Sequence, residues 1–180
     1  NDGSYGQEDT IINVGSGDLS SNPAVGDFNA DGRTDIAISL VSYSSITGRV
    51  YIFHNDGSLP TTDITADVTI TGETTSNNFG YALAAGDMNG DGRVDLIVGA
   101  KDYSSSTGRV YIYETRENFA WQIQKQPQPG SGALRTGLNT SGQELKITGE
   151  ASSNSFGSVF TTGDFNADGK TDLAVGANGY

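Results

Sequence analysis

The chain has 180 residues, a net charge of −12 and no cysteine. This length corresponds to about one domain, and the absence of cysteine excludes disulfides and thiolate metal sites. The acidic balance, with no basic patch to neutralise phosphates, argues against nucleic-acid binding, and apolar runs of a few residues are far short of the ~20 that span a bilayer.

The N-terminal stretch begins at Asn1 without methionine and contains no visible signal peptide. A processed secreted protein and an excised piece both fit this beginning. Residues 8–14 are expected to form the fourth strand of a preceding structural unit.

An acidic nonapeptide at Asp27–Asp35 is the first clear motif, and it returns at Asp87–Asp95 and Asp164–Asp172. Oxygen-bearing side chains occupy positions one, three, five and nine, glycine occupies position six, and a basic residue at position seven can lend its backbone carbonyl. The predicted metal ligands are Asp27, Asn29, Asp31, Arg33 and Asp35 in the first loop, Asp87, Asn89, Asp91, Arg93 and Asp95 in the second, and Asp164, Asn166, Asp168, Lys170 and Asp172 in the third.

This spacing predicts three Ca²⁺ sites, because hard cations take six to eight oxygen ligands and glycine allows a sharp turn. Each loop offers three carboxylates, one amide oxygen and one carbonyl. Asp-Gly is also a common hairpin dipeptide, but three copies that keep every acidic position favour metal binding. The loops hold nine aspartates and three basic residues, so half of the net charge is local to them.

The loops differ from EF-hands, which need a bidentate Glu at position twelve. Ile38, Val98 and Val175 stand there instead. They lie in short apolar runs that are typical of buried strands, so each loop is predicted to join two strands.

Strands of one order are predicted in each repeat. In chain order they are 36–41, 49–53 and 67–71 in the first repeat, 79–86, 96–100, 109–113 and 144–148 in the second, and 156–163 and 173–177 in the third. Four antiparallel strands in about 60 residues are typical of a β-propeller blade, so the predicted class is all-β.

The repeat boundaries follow from the spacing of the loops. Repeat 1 covers about 22–72, repeat 2 about 79–149 and a truncated repeat 3 about 156–180. An insertion at about 118–142 is polar and aperiodic, so it is predicted to be a surface loop. It contains Trp121, which either contacts a partner or pins the loop, and a sequon at Asn139 that also fits chance.

These residues resemble the FG-GAP repeat of integrin α-subunit propellers. Phe79-Gly80 and Phe156-Gly157 match the FG, Gly99-Ala100 and Gly176-Ala177 match the GA, and the acidic loop lies between them. The departures are Lys101 and Asn178 in place of the final proline, and Asn22-Pro23 and Ser39-Leu40 in place of FG and GA in the first repeat.

The resemblance implies a seven-bladed propeller with Ca²⁺ between the first and second strands of a blade. Two full blades and half of a third are encoded here, so we expect a segment of a larger propeller or one completed by self-association.

Function is expected to be that of an extracellular, Ca²⁺-stabilised scaffold for adhesion or protein interaction, with a protein, matrix or glycan ligand. The alternative is a non-catalytic propeller segment of a secreted enzyme or carbohydrate-binding protein. No catalytic residue is predicted, since His54 is the only histidine and no serine lies in a nucleophile-elbow pattern. The repeated Tyr-Ser-Ser turns at 43–45 and 103–105 suit either ligand binding or turn formation.

Overall fold

The computed structural model describes residues 12, 17–19, 22–57, 66–115 and 145–179. In these ranges the chain forms β-strands and two four-residue helical turns. Their bounds are β1 Ala24–Gly26, β2 Asp35–Leu40, α1 Tyr43–Ile46, β3 Arg49–Phe53, β4 Val68–Thr71, β5 Phe79–Gly86, β6 Asp95–Ala100, α2 Tyr103–Ser106, β7 Arg109–Tyr113, β8 Leu145–Thr148, β9 Phe156–Gly163 and β10 Asp172–Ala177.

The strands form three antiparallel sheets in chain order. Two of them have four strands, β1-β2-β3-β4 and β5-β6-β7-β8, and the third pairs β9 with β10. Register is also repeated, because Ile38 pairs with Tyr51 in the first sheet and Val98 pairs with Tyr111 in the second. The predicted all-β blades are confirmed, and the three described sheets do not close into a ring.

Most predicted strand bounds agree with the observed ones to within a residue. The second strand of each sheet begins one residue earlier than predicted, because the aspartate at loop position nine already pairs with the glycine that ends the first strand, as in Gly26 with Asp35. β1 is only three residues long and follows Pro23, which has no N–H for a ladder. Apart from Ile12, the predicted strand 8–14 lies outside the described residues, as does the insertion 118–142.

The core lies between successive sheets. Phe79 is fully buried and meets the Tyr111 ring edge-on, with 5.2 Å between ring centroids. Both belong to one buried cluster that joins the first sheet to the second, and a further cluster joins the second sheet to β9 and β10. Each sheet is therefore stabilised mainly by apolar area buried against its neighbour.

The turns α1 and α2 link the second and third strands of their own sheets and also hydrogen-bond to the segment that leads into the next sheet. Three successive residues of α1, Ser44 to Ile46, have positive φ angles of 46°, 57° and 62°. Their left-handed path directs carbonyl groups at the next sheet, where the N–H of Ser76 donates to Ser45 and the N–H of Asn78 donates to Ile46, each at 3.0 Å. The same bonds recur from α2, so the Tyr-Ser-Ser repeats have a structural role.

Replacing Ile46 with asparagine is expected to stabilise the chain by about 1 kcal/mol, because a left-handed backbone costs roughly this much for most residues and asparagine tolerates it. The Ile46 side chain is 44% exposed, so little packing is lost. Urea denaturation measures the difference. Ile46→Val keeps the β-branch and should show no gain, and an equal gain in both variants would contradict the backbone explanation.

Candidate metal centres

The three acidic loops join the first strand of each sheet to its second strand. They lie at the sheet ends opposite α1 and α2, since antiparallel strands place successive connections at alternate ends. Residues at their tips are exposed in all three copies. The predicted ligand types are thus at the surface, on one end of the molecule.

Hydrogen bonds to side-chain oxygens define the shape of the first loop. The Asp31 N–H donates to Asp27 Oδ1 at 3.0 Å and to Asn29 Oδ1 at 2.9 Å. Gly32 N–H donates to Asp27 Oδ2 at 2.8 Å, and Arg33 N–H donates to Asp31 Oδ1 at 2.8 Å. The oxygens of positions one and three therefore converge on one backbone amide and lie close together.

The other two loops repeat this network. The N–H at position five donates to the first aspartate at 3.1 Å in the second loop and 3.0 Å in the third, and to the asparagine at 2.8 and 2.9 Å. Position four has positive φ in each copy, at Ala30, Gly90 and Ala167. The sequence indicated the glycine at position six but gave no signal for this second left-handed residue.

The ninth-position aspartate has a structural role that the sequence did not reveal. Asp35 is buried, and its two oxygens accept N–H groups from Phe28 at 2.9 Å and from Asn55 at 2.8 Å. Asp95 likewise accepts from Met88 and Thr115, both at 2.9 Å. In both sheets the second donor is the backbone N–H two residues after the third strand, so this carboxylate joins the loop to the end of that strand.

Burial is also the main influence on the charge of these aspartates. It raises the pKa of Asp95 to about 6, partly offset by the N–H groups of Thr115 and Met88. Burial raises the pKa of Asp35 as well, against the opposing effect of its hydrogen bonds from Asn55 and Phe28.

In chelator, the free energy of unfolding is expected to fall between about pH 4 and pH 6 through Asp95. The unfolded carboxyl loses its proton near its ordinary pKa of 3.8, whereas the folded one keeps it to about 6, so the contribution is complete below pH 3.8 and lost as pH rises. The span is worth roughly 3 kcal/mol. Denaturation of the parent and of Asp95→Asn across this range measures it, because asparagine resembles the protonated carboxyl and does not titrate. The parent should lose stability relative to the variant as pH rises from about 4 to 6, and parallel curves would contradict the shift.

Within the described ranges, no three Asp, Glu, His or Cys side chains converge as a metal-binding group. In the first two loops the ninth carboxylate accepts N–H groups from loop position two and from the residue two after the third strand. The donors that do meet are carboxylate and amide oxygens, without nitrogen or sulfur ligands, and this chemistry suits Ca²⁺ or Mg²⁺. Carboxylate oxygens that accept one N–H retain a second lone pair.

The basic side chain at position seven makes polar contacts in the first two loops. Arg33 Nη1 donates to the carbonyl of Asn55 at 3.3 Å, and Arg93 Nη1 lies 3.7 Å from Asp91 Oδ2. The Arg93 contact offsets part of the negative charge of the second loop.

Three other residues singled out in the sequence are His54, Trp121 and Asn139. His54 follows β3, and its N–H donates to Asp67 Oδ2 at 2.7 Å. Trp121 and the sequon at Asn139 lie outside the described residues. No helix in the described part of the chain is long and apolar enough to cross a membrane.

Comparison with known proteins finds the FG-GAP repeat model at residues 21–53, 79–113 and 156–180. The chain is similar to integrin alpha-PS2 of Drosophila melanogaster, with 30% identity over 164 residues, which is 84% of this chain and 10% of that protein. It is 30% identical to integrin alpha-8 of Gallus gallus over 86% of this chain and 13% of that protein. Identity to integrin alpha-7 of Mus musculus is 33% over 72% of this chain and 10% of that protein. The chain spans about a tenth of the length of these relatives.

Proposed function

This chain belongs to the FG-GAP repeat family, and from that premise we propose that it is a calcium-binding propeller module of an extracellular adhesion or protein-interaction protein. The observation that carries the calcium assignment is the repetition of one loop. Spacing, residue types and the bonds between position five and positions one and three are the same in all three copies. A plain hairpin turn needs neither the first aspartate nor the asparagine.

We assign the ion in each loop to the oxygens of positions one, three, five and nine and to the carbonyl of position seven. The residues are Asp27, Asn29, Asp31, Arg33 and Asp35, with Asp87, Asn89, Asp91, Arg93 and Asp95 and with Asp164, Asn166, Asp168, Lys170 and Asp172 in the other copies. When bound, calcium would supply positive charge that offsets the repulsion between carboxylates. The chain's own residues keep the donors together through the shared N–H of position five.

Calcium suits these loops better than magnesium. Mg²⁺ demands a near-ideal octahedron and retains several waters, whereas Ca²⁺ accepts six to eight oxygens in flexible geometry. The loops offer about five protein oxygens at exposed positions, leaving room for water. Extracellular modules bind calcium with Kd of roughly 10⁻⁴–10⁻³ M, and we place these sites in that range or somewhat tighter.

Isothermal titration of the calcium-free chain tests the assignment. We expect three Ca²⁺ per chain, and two per chain for each of the variants Asp31→Ala, Asp91→Ala and Asp168→Ala. Glu150→Ala, an exposed acidic residue outside the loops, is the matched control and should keep all three. Absence of binding heat up to about 10 mM calcium would contradict the assignment.

An extracellular adhesion or protein-interaction role is supported by the integrin alpha relatives. The partner class we propose is a protein or a glycosylated component of the extracellular matrix. Binding of the chain to a panel of purified matrix proteins, measured with calcium and with chelator, tests this role. Loss of a specific interaction in chelator would support it, and no calcium-dependent interaction across the panel would count against it.

Catalysis is not part of the proposed function. His54 is the only histidine in the sequence, and the aspartates of the loops are assigned to loop structure and to the proposed ion. The module is therefore proposed to position partners rather than to transform them.

A further inference from the structure

The second acidic loop differs from the other two at its fourth position. Gly90 follows Asn89 there, whereas alanine follows the asparagine in the first and third loops. The φ angle is positive in all three copies, 76° at Gly90 and 59° and 61° at Ala30 and Ala167. Only the second loop therefore combines this left-handed turn with an Asn-Gly pair. The chain's other such pair, at residues 178–179, follows β10 and belongs to no acidic loop.

An Asn-Gly pair can modify itself without an enzyme. The backbone nitrogen of the glycine attacks Cγ of the asparagine, so that an N–Cγ bond forms and the Cγ–Nδ2 bond breaks. The amide group leaves as ammonia, after taking up the proton that the glycine nitrogen loses. Water then opens the cyclic imide at either of its carbonyls, which yields aspartate or isoaspartate. Glycine favours the attack because it has no Cβ to crowd the ring and because its backbone adopts conformations that other residues avoid.

The loop holds the reacting groups next to each other. Asn89 Oδ1 accepts the Asp91 N–H at 2.8 Å, and Asn89 Nδ2 donates to Asp91 Oδ2 at 3.3 Å. Both bonds reach across the intervening residue, so the side-chain amide of Asn89 is folded back along the Gly90 peptide that must attack it.

The Gly90 N–H has an acceptor that the equivalent alanines lack. It donates to Asp87 Oδ1 at 2.7 Å. In the described first and third loops, the first aspartate accepts N–H groups from positions five and six but none from position four. In the second loop alone, a carboxylate oxygen therefore lies beside the proton that must leave the attacking nitrogen.

Both members of the pair are accessible to water. Asn89 and Gly90 are exposed, so the hydrolysis step is not limited by burial. A Cβ added to Gly90 would approach only the Lys170 side chain, at 3.8 Å, which is an ordinary van der Waals distance. The packing of the described residues thus does not require glycine here, and the two alanine copies form the same loop without it.

We propose that Asn89 is a self-modification site, converted to aspartate or isoaspartate by the Gly90 amide nitrogen, and that it is the only such site among the three acidic loops. Either product adds a negative charge beside Asp87 and Asp91. Isoaspartate also adds a carbon to the main chain, which displaces the Asp91 N–H from its acceptors on Asp87 and Asn89. The modification thereby changes one loop and leaves its two homologues intact.

The reaction itself needs no metal, but its control by calcium rests on the proposed function. Asn89 Oδ1 is one of the oxygens assigned to the ion, and a side chain held as a ligand cannot turn its Cγ towards the attacking nitrogen. We therefore expect the reaction to be slower in calcium than in chelator.

Peptide mapping by mass spectrometry, after incubation of the full chain in chelator at mildly alkaline pH, is the test. Deamidation of Asn89 is expected to be at least tenfold faster than that of Asn29 and Asn166, which are internal controls in the same digest. The Asp-Gly pairs of the loops can also isomerise, but without a change in mass, so they do not contribute to the signal. Equal rates at the three asparagines, or no deamidation of Asn89, would overturn the proposal.

Exchanging the fourth residue between loops locates the cause. Gly90→Ala should slow deamidation of Asn89 at least tenfold, and Ala30→Gly should accelerate deamidation of Asn29, with circular dichroism confirming that both variants fold. An unchanged rate at Asn89 in Gly90→Ala would overturn the proposal.

The same incubation in calcium separates this proposal from the proposed function. Slower deamidation of Asn89 in calcium would support both. Equal rates in calcium and in chelator would support the modification while contradicting the assignment of Asn89 as a calcium ligand.

Discussion

Replacing Gly108 with alanine is expected to lower the free energy of unfolding by about 2 to 5 kcal/mol, the sum of a left-handed backbone penalty and an overpacking penalty. Gly108 has a φ of +83°, and a Cβ there would fall on the carbonyl oxygen of Phe156, with the Phe156 nitrogen also inside contact distance. These are backbone atoms of the next sheet, so no side-chain rotation relieves the overlap.

The loss should be localised as well as large. Hydrogen exchange is expected to show reduced protection of amides in β9 and β10, which dock on the second sheet through this contact, while β2 and β3 keep theirs. Gly48 makes the equivalent approach to Phe79 at the first junction, so Gly48→Ala should instead separate the first sheet from the second.

Gly92→Ala is the matched control for the backbone penalty. Gly92 has a φ of +86°, but nothing lies within 4 Å of its added Cβ. It should therefore lose only about 1 to 2 kcal/mol, the cost of a left-handed alanine. Equal losses for Gly92→Ala and Gly108→Ala in urea denaturation would show that the close approach of the sheets contributes nothing.

Strand order and loop position could be predicted from the sequence because both depend on local repetition. The apolar residues of β6 and β7 indicated two strands, and the acidic nonapeptides are recognised by the same spacing in all three copies. Contacts between repeats could not be predicted in this way. A fully buried Phe28 and a 61% exposed Phe165 occupy the same loop position. Phe28 packs in a cluster with residues of the second sheet, whereas no sheet among the described residues covers Phe165.

The first repeat has Ser39-Leu40 where the other repeats have Gly-Ala, and this difference also depends on a contact between repeats. Ser39 replaces the glycine expected there, and the structure supplies the reason: its hydroxyl donates to the Gly80 carbonyl at 2.5 Å. At the second junction Gly99 packs directly against the backbone of Gly157. A hydrogen bond across 41 residues thus takes the place of a close backbone contact, and no local pattern encodes such an exchange.

Calcium is expected to stabilise the chain by about 2.7 kcal/mol per site at a concentration one hundred times Kd, because it binds the folded loops and not the unfolded chain. Asp91→Ala should abolish one such contribution in calcium and have little effect in chelator. In chelator, the loss of the 3.0 Å bond from the Arg93 N–H to Asp91 Oδ1 is offset by the removal of charge repulsion with Asp87.

Thermal unfolding in about 10 mM calcium and in chelator measures both effects. Glu150→Ala carries the same charge change outside the loops and should behave like the parent in both conditions, which separates ion binding from the general effect of lowering a net charge of −12. If Asp91→Ala lost equal stability with and without calcium, its carboxylate would stabilise the loop only through its contacts with Arg93 and Asn89. The repeated nonapeptide would then be a hydrogen-bonded turn and not a metal site.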